Sequence, residues 1–159
     1  TTFRSCASSV NRFTSKRDAP VSEFNGIERR LNELNERLQR LATFTGMARS
    51  DFDADPFLRD IVERNLEVAA QCCIDICNRI IVLEDAQKPA DYYEGILRMA
   101  ELQVLPSDFA RALAPIAGFR NILIHEYLGI DWDEVYRNLH QLDMLQQFAQ
   151  YVVDWMQKT

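Results

Sequence analysis

The sequence predicts an all-α fold, an antiparallel up-and-down bundle of four to five helices, from three observations. Apolar residues recur at steps of three and four along most of the chain. Side chains that cap helix starts stand where those runs begin. No segment shows sustained alternation with β-branched enrichment, and no tight turn joins two strand-like runs, so a sheet is not expected. At 159 residues and 47% hydrophobic composition, the chain makes one domain with enough apolar surface for a core.

Residues 1–22 show no apolar periodicity, include Pro20, and carry Arg4, Arg12, Lys16 and Arg17 against Asp18 alone. They read as a flexible basic arm, an extension outside the fold or a cloning remnant, and the helical domain is expected over 23–159. From Glu23, the residues Phe24, Ile27, Leu31, Leu34, Leu38 and Leu41 form one seam, with Glu28, Arg29, Arg30, Glu33, Glu36, Arg37 and Arg40 around it. The seam is too short to stand alone as a coiled coil, so it belongs in a bundle. Thr45, Gly46, Asp51 and Asp53 then break the pattern.

Asp55-Pro56 opens the second helix with an N-cap acceptor and a proline at the first helical position, where its missing donor costs nothing. Phe57, Ile61, Val62, Leu66, Ala69, Cys73, Ile76 and Ile80 carry that helix to about Leu83. Pro89 forces a loop, and Asp91-Tyr-Tyr-Glu94 has capping-box spacing for a short third helix that stops before Pro106. Ser107 is the expected cap of a fourth helix running to about Leu128. Gly129 ends it, and Asp131-Trp-Asp-Glu134 starts the last helix, through Trp155.

The net charge of −6, with a basic arm, leaves an acidic body that argues against a protein living on bulk nucleic acid but leaves room for a local RNA cleft. No apolar run approaches the roughly 18 residues needed to span a bilayer, and the N-terminus lacks the apolar segment of a secretory leader. A cytoplasmic location without membrane attachment is the expectation. Cys72, Cys73 and Cys77 stand beside Ile74, Ile76 and Ile80 and read as small core residues. Only His125 and His140 could complete a metal site with them, and both are distant in sequence, so neither metal nor any other cofactor is expected.

One segment carries chemistry. Arg120-Asn-Ile-Leu-Ile-His125-Glu-Tyr127 places a permanent cation, an imidazole that titrates near neutrality and a phenol within eight residues of otherwise mostly apolar character. Residues five apart on a straight helix are turned by about 140° and rise about 7.5 Å, so Arg120 and His125 do not share a face by spacing alone. Pro115 and Gly118 can bend the helix.

Arg-Asn-x-x-x-His-x-Tyr resembles the signature of the HEPN superfamily, and the surrounding text is similar to its HepT branch. Val62-Glu-Arg-Asn-Leu66, Cys73-Ile-Asp75-Ile-Cys-Asn78, Lys88-Pro-Ala-Asp-Tyr-Tyr93, Gly118-Phe-Arg-Asn and His125-Glu-Tyr-Leu-Gly-Ile-Asp131 resemble HepT stretches in the family's order, over roughly 23–157. An Arg-x4-His pair alone recurs by chance. With Asn121 after the Arg, Tyr127 after the His and Asp75 upstream it is specific.

The resemblance implies a HEPN-like helical bundle and the toxin of a HEPN/MNT toxin and antitoxin pair, a metal-independent endoribonuclease with its site at a two-fold homodimer interface. It implies Arg120 and His125 as catalytic residues, with cleavage through the substrate's own 2′-hydroxyl. It also implies an MNT-type nucleotidyltransferase antitoxin as partner, which adds AMP to Tyr127. Asp75, Asn121 and Asn78 are expected to support the site, Asp75 as a carboxylate in apolar company whose natural partner is Arg120.

Other readings stand beside these. A lone histidine on an apolar helix is commonly a core residue bonded to a carbonyl, and an arginine nearby is commonly paired with a carboxylate. Tyr127 can be a packing residue with its hydroxyl at the surface. As a whole the chain can be a non-catalytic helical subunit that binds a nucleotidyltransferase. A nucleic-acid-binding regulator is disfavoured by the acidic body and the lack of a Lys/Arg-studded recognition helix.

Overall fold

The computed structural model describes residues 23–159, so the arm expected over 1–22 lies outside the described residues. Those residues form an all-α bundle without a strand. Helix α1 (Asn25–Ala42) and helix α3 (Pro56–Leu83) are its long pair, with a short α2 (Arg49–Ala54) between them. Then follow α4 (Tyr92–Glu101), α5 (Ser107–Leu113), α6 (Ile116–His125), α7 (Trp132–Leu139) and α8 (Leu142–Lys158).

The α1 seam is buried as its spacing predicts. Ile27, Leu31, Leu34, Leu38 and Leu41 are each at most 1% exposed, and each such side chain contributes roughly 1.5–3 kcal/mol of transfer free energy. They lie against α3, which at about 42 Å is the longest element and the one on which α1, α2, α4, α6, α7 and α8 all pack. Asp55 caps α3 by accepting from the N–H groups of Phe57 and Leu58 at 3.1 and 3.2 Å, with Pro56 at the first position. Val62, Leu66, Ala69, Cys73, Ile76 and Ile80 of α3 are buried as expected. Phe57 and Ile61 are not, at 80% and 48% exposed.

The outward face of α3 is therefore a second line at steps of three and four: Phe57, Ile61, Arg64, Val68, Gln71, Asp75, Asn78 and Val82. It holds the helix's polar site residues, and nothing in its spacing distinguishes it from the buried line.

Several local expectations are corrected. The break between α1 and α3 contains α2, because Phe52 drops fully into the core against Trp132 and Tyr136, at 6.1 and 5.3 Å between ring centroids. The fourth helix, expected over 107–128, is two helices. Pro115 has no N–H, and its ring opposes the carbonyl one turn back, so α5 ends and α6 starts anew. Ser107 is not a side-chain cap but the first helical residue after Pro106. Helix α6 stops at His125, and a turn closed by Gly129 N–H to Glu126 O at 3.0 Å holds Tyr127 and Leu128 outside it.

The last helix also divides, between Leu139 and Leu142. Asn138 donates to Glu134 O at 2.8 Å, and the two ring nitrogens of His140 lie 2.8 Å from Tyr136 O and 3.0 Å from Thr45 O. Side chains bonded to helix carbonyls compete with continuation of the backbone ladder. Asp91 and Asp131 act as predicted, accepting from Glu94 N–H at 2.8 Å and from Asp133 N–H at 3.0 Å. Helices α3 and α4 end in left-handed residues that are not glycine, Asp85 (φ 49°) and Gln103 (φ 60°). At each end the next N–H returns to the carbonyl five residues back, Ala86 to Ile81 and Val104 to Met99.

Candidate functional site

Arg120 lies in the middle of α6, half-buried against α3. Its Nε donates to Gln71 Oε1 at 2.6 Å and its Nη1 to Asn121 Oδ1 at 3.0 Å. Its guanidinium carbon lies 5.7 Å from the centre of the Tyr92 ring, within cation–π range. Both hydrogen-bond partners are neutral amides. Among the described residues Arg120 makes no ion pair, so its charge is held in place without being neutralised.

Asp75 does not meet Arg120 directly, contrary to the pairing expected from sequence. Gln71 stands between them: its Nε2 donates to Asp75 Oδ1 at 2.7 Å, and Asp75 Oδ2 lies 3.6 Å from Nε of Arg30 on α1. The chain of contacts runs Arg30, Asp75, Gln71, Arg120. Asp75 sits one turn beyond Gln71 on the outward face of α3 and its side chain is 37% exposed, while its neighbours Ile74 and Ile76 turn into the core. Apolar neighbours in sequence were not apolar neighbours in space.

His125 is the last residue of α6 and exposed, and its side chain makes no hydrogen bond among the described residues. Arg120 and His125 share no hydrogen bond. The carbonyl-bonded histidine is instead His140, which is exposed, lies within hydrogen-bond distance of two carbonyls and has its ring tilted against Tyr136 at 4.6 Å between centroids. Tyr127, on the turn two residues after His125, is 69% exposed. Asn121 is exposed and orients Arg120. Asn78 does not reach Arg120. It lines a groove of about 500 Å³ whose wall includes Tyr92, the ring over which the Arg120 guanidinium lies.

A second, polar groove lies between α1 and α3, where Arg29, Arg30 and Arg64 stand with Glu33, Glu67 and Gln71. Its three arginines are matched by Glu33, Glu67 and Asp75, with Arg30 on Asp75 and Arg64 on Glu67 as ion pairs, so it adds no net positive charge beside the Arg120 network. Cys72, Cys73 and Cys77 are buried and free. Desolvation pushes the Cys72 thiol up to about 12, with Glu33 and Asp75 adding to it, and raises the other two as well, so all three behave as packing residues. Among the described residues no three His, Cys, Asp or Glu side chains gather as a metal requires, and no helix is long and apolar enough to cross a membrane.

Gln71, Tyr92 and Arg30 were not legible as site residues from sequence. Gln71 has one weak signal, its place one helical turn before Asp75. Tyr92 falls in a stretch of family resemblance without any implied role.

The family model described as "Ribonuclease HepT-like" matches residues 34–152. The chain is 31% identical over 126 residues to the tRNA nuclease HepT of Aphanizomenon flos-aquae, covering 79% of this chain and 84% of that protein. It is 28% identical over 104 residues to the mRNA nuclease HepT of Shewanella oneidensis, covering 65% and 78%. Among solved structures it is similar to a tri-AMPylated Shewanella oneidensis HEPN toxin in complex with an MNT antitoxin. The TM-score is 0.72 and the identity 25%, over 80% of this chain and 96% of that one.

Proposed function

Because the chain belongs to the ribonuclease HepT-like family, we propose that it is the toxin of a HEPN/MNT pair, an endoribonuclease that needs no metal, restrained by an MNT-type nucleotidyltransferase. One observation carries the catalytic reading. Arg120 is aimed by neutral amides and keeps its charge, while His125 on the same short helix is exposed and unbonded. A structural ion pair and a core histidine are the bland alternatives, and neither describes these two residues.

In the proposed reaction the substrate's 2′-oxygen attacks the adjacent phosphorus, the bond from phosphorus to the 5′-oxygen breaks, and the products are a 2′,3′-cyclic phosphate and a free 5′-hydroxyl. His125 takes the 2′-hydroxyl proton or gives one to the leaving oxygen, each role worth roughly 10² to 10⁴ in rate. Arg120 neutralises charge growing on the non-bridging oxygens. A two-fold axis brings two copies of α6 to one cleft, which overcomes the angular separation of Arg120 and His125 along a single helix. The α3 line ending in exposed Phe57 and Ile61 supplies apolar area for such a contact.

Tyr127 is the proposed acceptor of AMP. Its exposure leaves the phenol open to a partner enzyme, and each added phosphodiester brings a negative charge toward the Arg120 site. The alternative of a non-catalytic subunit binding a nucleotidyltransferase needs neither an uncommitted Arg120 nor a free His125.

The test is cleavage of RNA by the purified chain, freed of antitoxin, in a chelator. Activity should persist, and His125→Ala should lose about 10² or more of it with helicity unchanged. Undiminished cleavage by that variant would overturn the assignment.

A further inference from the structure

The groove beside Tyr92 has no part in the chemistry proposed above. It lies between the last turns of α3 and the first turn of α4, and its volume of about 500 Å³ is within the usual range of small-ligand sites. Val82, Pro89 and Tyr92 give it flat apolar walls, with Val82 76% and Tyr92 39% exposed. Asn78 contributes an amide that makes no hydrogen bond among the described residues. Asp85 and Asp91 also line the groove, so a phosphate placed inside it would be repelled.

A neutral, flat ligand with hydrogen-bonding edges suits those walls. A nucleobase has that form: aromatic rings stack bases whatever their identity, and an asparagine amide pairs with base edges through a donor and an acceptor. Tyr92 is shared between the groove and the site, since the guanidinium of Arg120 lies 5.7 Å from the same ring. An occupant of the groove is therefore one ring away from the group that holds phosphate. Lys88, also in the groove's lining, offers a cation to the next stretch of backbone.

We propose that this groove takes an unpaired nucleobase of the RNA, adjoining the phosphate held on Arg120, stacked on Tyr92 with its edge met by Asn78. The assignment rests on the reading of Arg120 as the phosphate-binding group. It makes the substrate locally single-stranded, because a base stacked in a duplex cannot enter.

The experiment uses the full chain and short single-stranded RNAs made uncleavable by a 2′-methoxy group at one linkage. The nucleotide on one or the other side of that linkage carries 2-aminopurine, or has no base. At one of the two positions the wild type should quench the 2-aminopurine and bind the base-bearing RNA about tenfold more tightly than the abasic one. Tyr92→Leu removes the ring and Ala90→Leu fills the groove from an exposed position, and each should abolish that difference. Circular dichroism checks helicity, and Ala90→Leu decides if Tyr92→Leu does not fold. A wild type blind to the missing base, or variants that keep the full discrimination, would overturn the proposal and leave the groove to a protein partner. Discrimination here with no cleavage of unmodified RNA in the chelator assay would sink the nuclease reading alone, cleavage there without discrimination here the groove alone, and absence of RNA binding both.

Discussion

Arg120 and Gln71 lie 49 residues apart in the chain and meet at 2.6 Å, with Arg120 Nε as donor and the neutral amide oxygen as acceptor. A carboxylate in that place would hold the guanidinium equally well but would offset its charge by about 4 kcal/mol at an effective dielectric of 20 and a separation of 4 Å. An amide fixes the direction and leaves the charge for a phosphate. Asp75, accepting from the far end of the same amide at 2.7 Å, fixes which end of Gln71 faces Arg120.

Gln71 should therefore act as a positioning residue. Gln71→Ala should lower kcat for RNA cleavage about tenfold, the loss of one directed contact at the reacting centre, with little change in KM or Tm. Gln71→Glu separates positioning from structure. It keeps an acceptor for Arg120, yet it neutralises the cation and sets two carboxylates one turn apart on α3, so it should be at least as impaired as Gln71→Ala. Wild-type cleavage by Gln71→Glu would show that the contact merely packs α6 onto α3.

The outward line of α3 bears on assembly. Phe57, Ile61 and Val68 continue the face on which Gln71 and Asp75 stand, and a shared cleft is the geometry that unites Arg120 with a His125. Sedimentation at micromolar concentration should show a homodimer. Ile61→Glu, at a position 48% exposed in the protomer, should shift it to monomer and reduce cleavage in proportion while the monomer stays folded. A strict monomer with full activity would remove the two-fold site.

Control through Tyr127 makes a separate prediction. Incubation with an MNT-type nucleotidyltransferase, ATP and magnesium should add AMP units and lower cleavage without unfolding, because each phosphodiester sets a negative charge beside the site that RNA enters. Tyr127→Phe keeps the ring and removes the accepting oxygen, so it should stay active and gain no mass. An equal mass gain in that variant would move the acceptor elsewhere.

The end of α4 gives a test of backbone conformation alone. Gln103 holds φ at 60°, a region that costs a residue with a Cβ roughly 1–2 kcal/mol. Gln103→Gly removes that cost and returns part of it as unfolded-state entropy, so the variant should be about 0.5–1 kcal/mol more stable in urea. Destabilisation would mean that the exposed glutamine side chain makes the larger contribution.

What the sequence determined by itself is local. The α1 seam from Ile27 to Leu41, the Asp55 and Pro56 start of α3 and the Asp91 and Asp131 caps each depend on residues within one or two turns, where spacing and capping chemistry decide. The Arg120 and His125 pair was legible for the same reason, as a contiguous pattern. Tertiary structure decided which face of each helix turns inward and what long side chains reach across. Phe57 and Ile61 satisfy the apolar period and still face out, because the period repeats on both lines of α3 and only the packed neighbours choose between them. Asp75 meets Arg30 and Gln71 rather than Arg120 because the angular phase of three separate helices sets those distances. Pro115 was visible as a possible bend, but the second break at His140 depends on Thr45, 95 residues away, whose carbonyl lies against the imidazole. Contacts of that range arise from packing, and no local period encodes them.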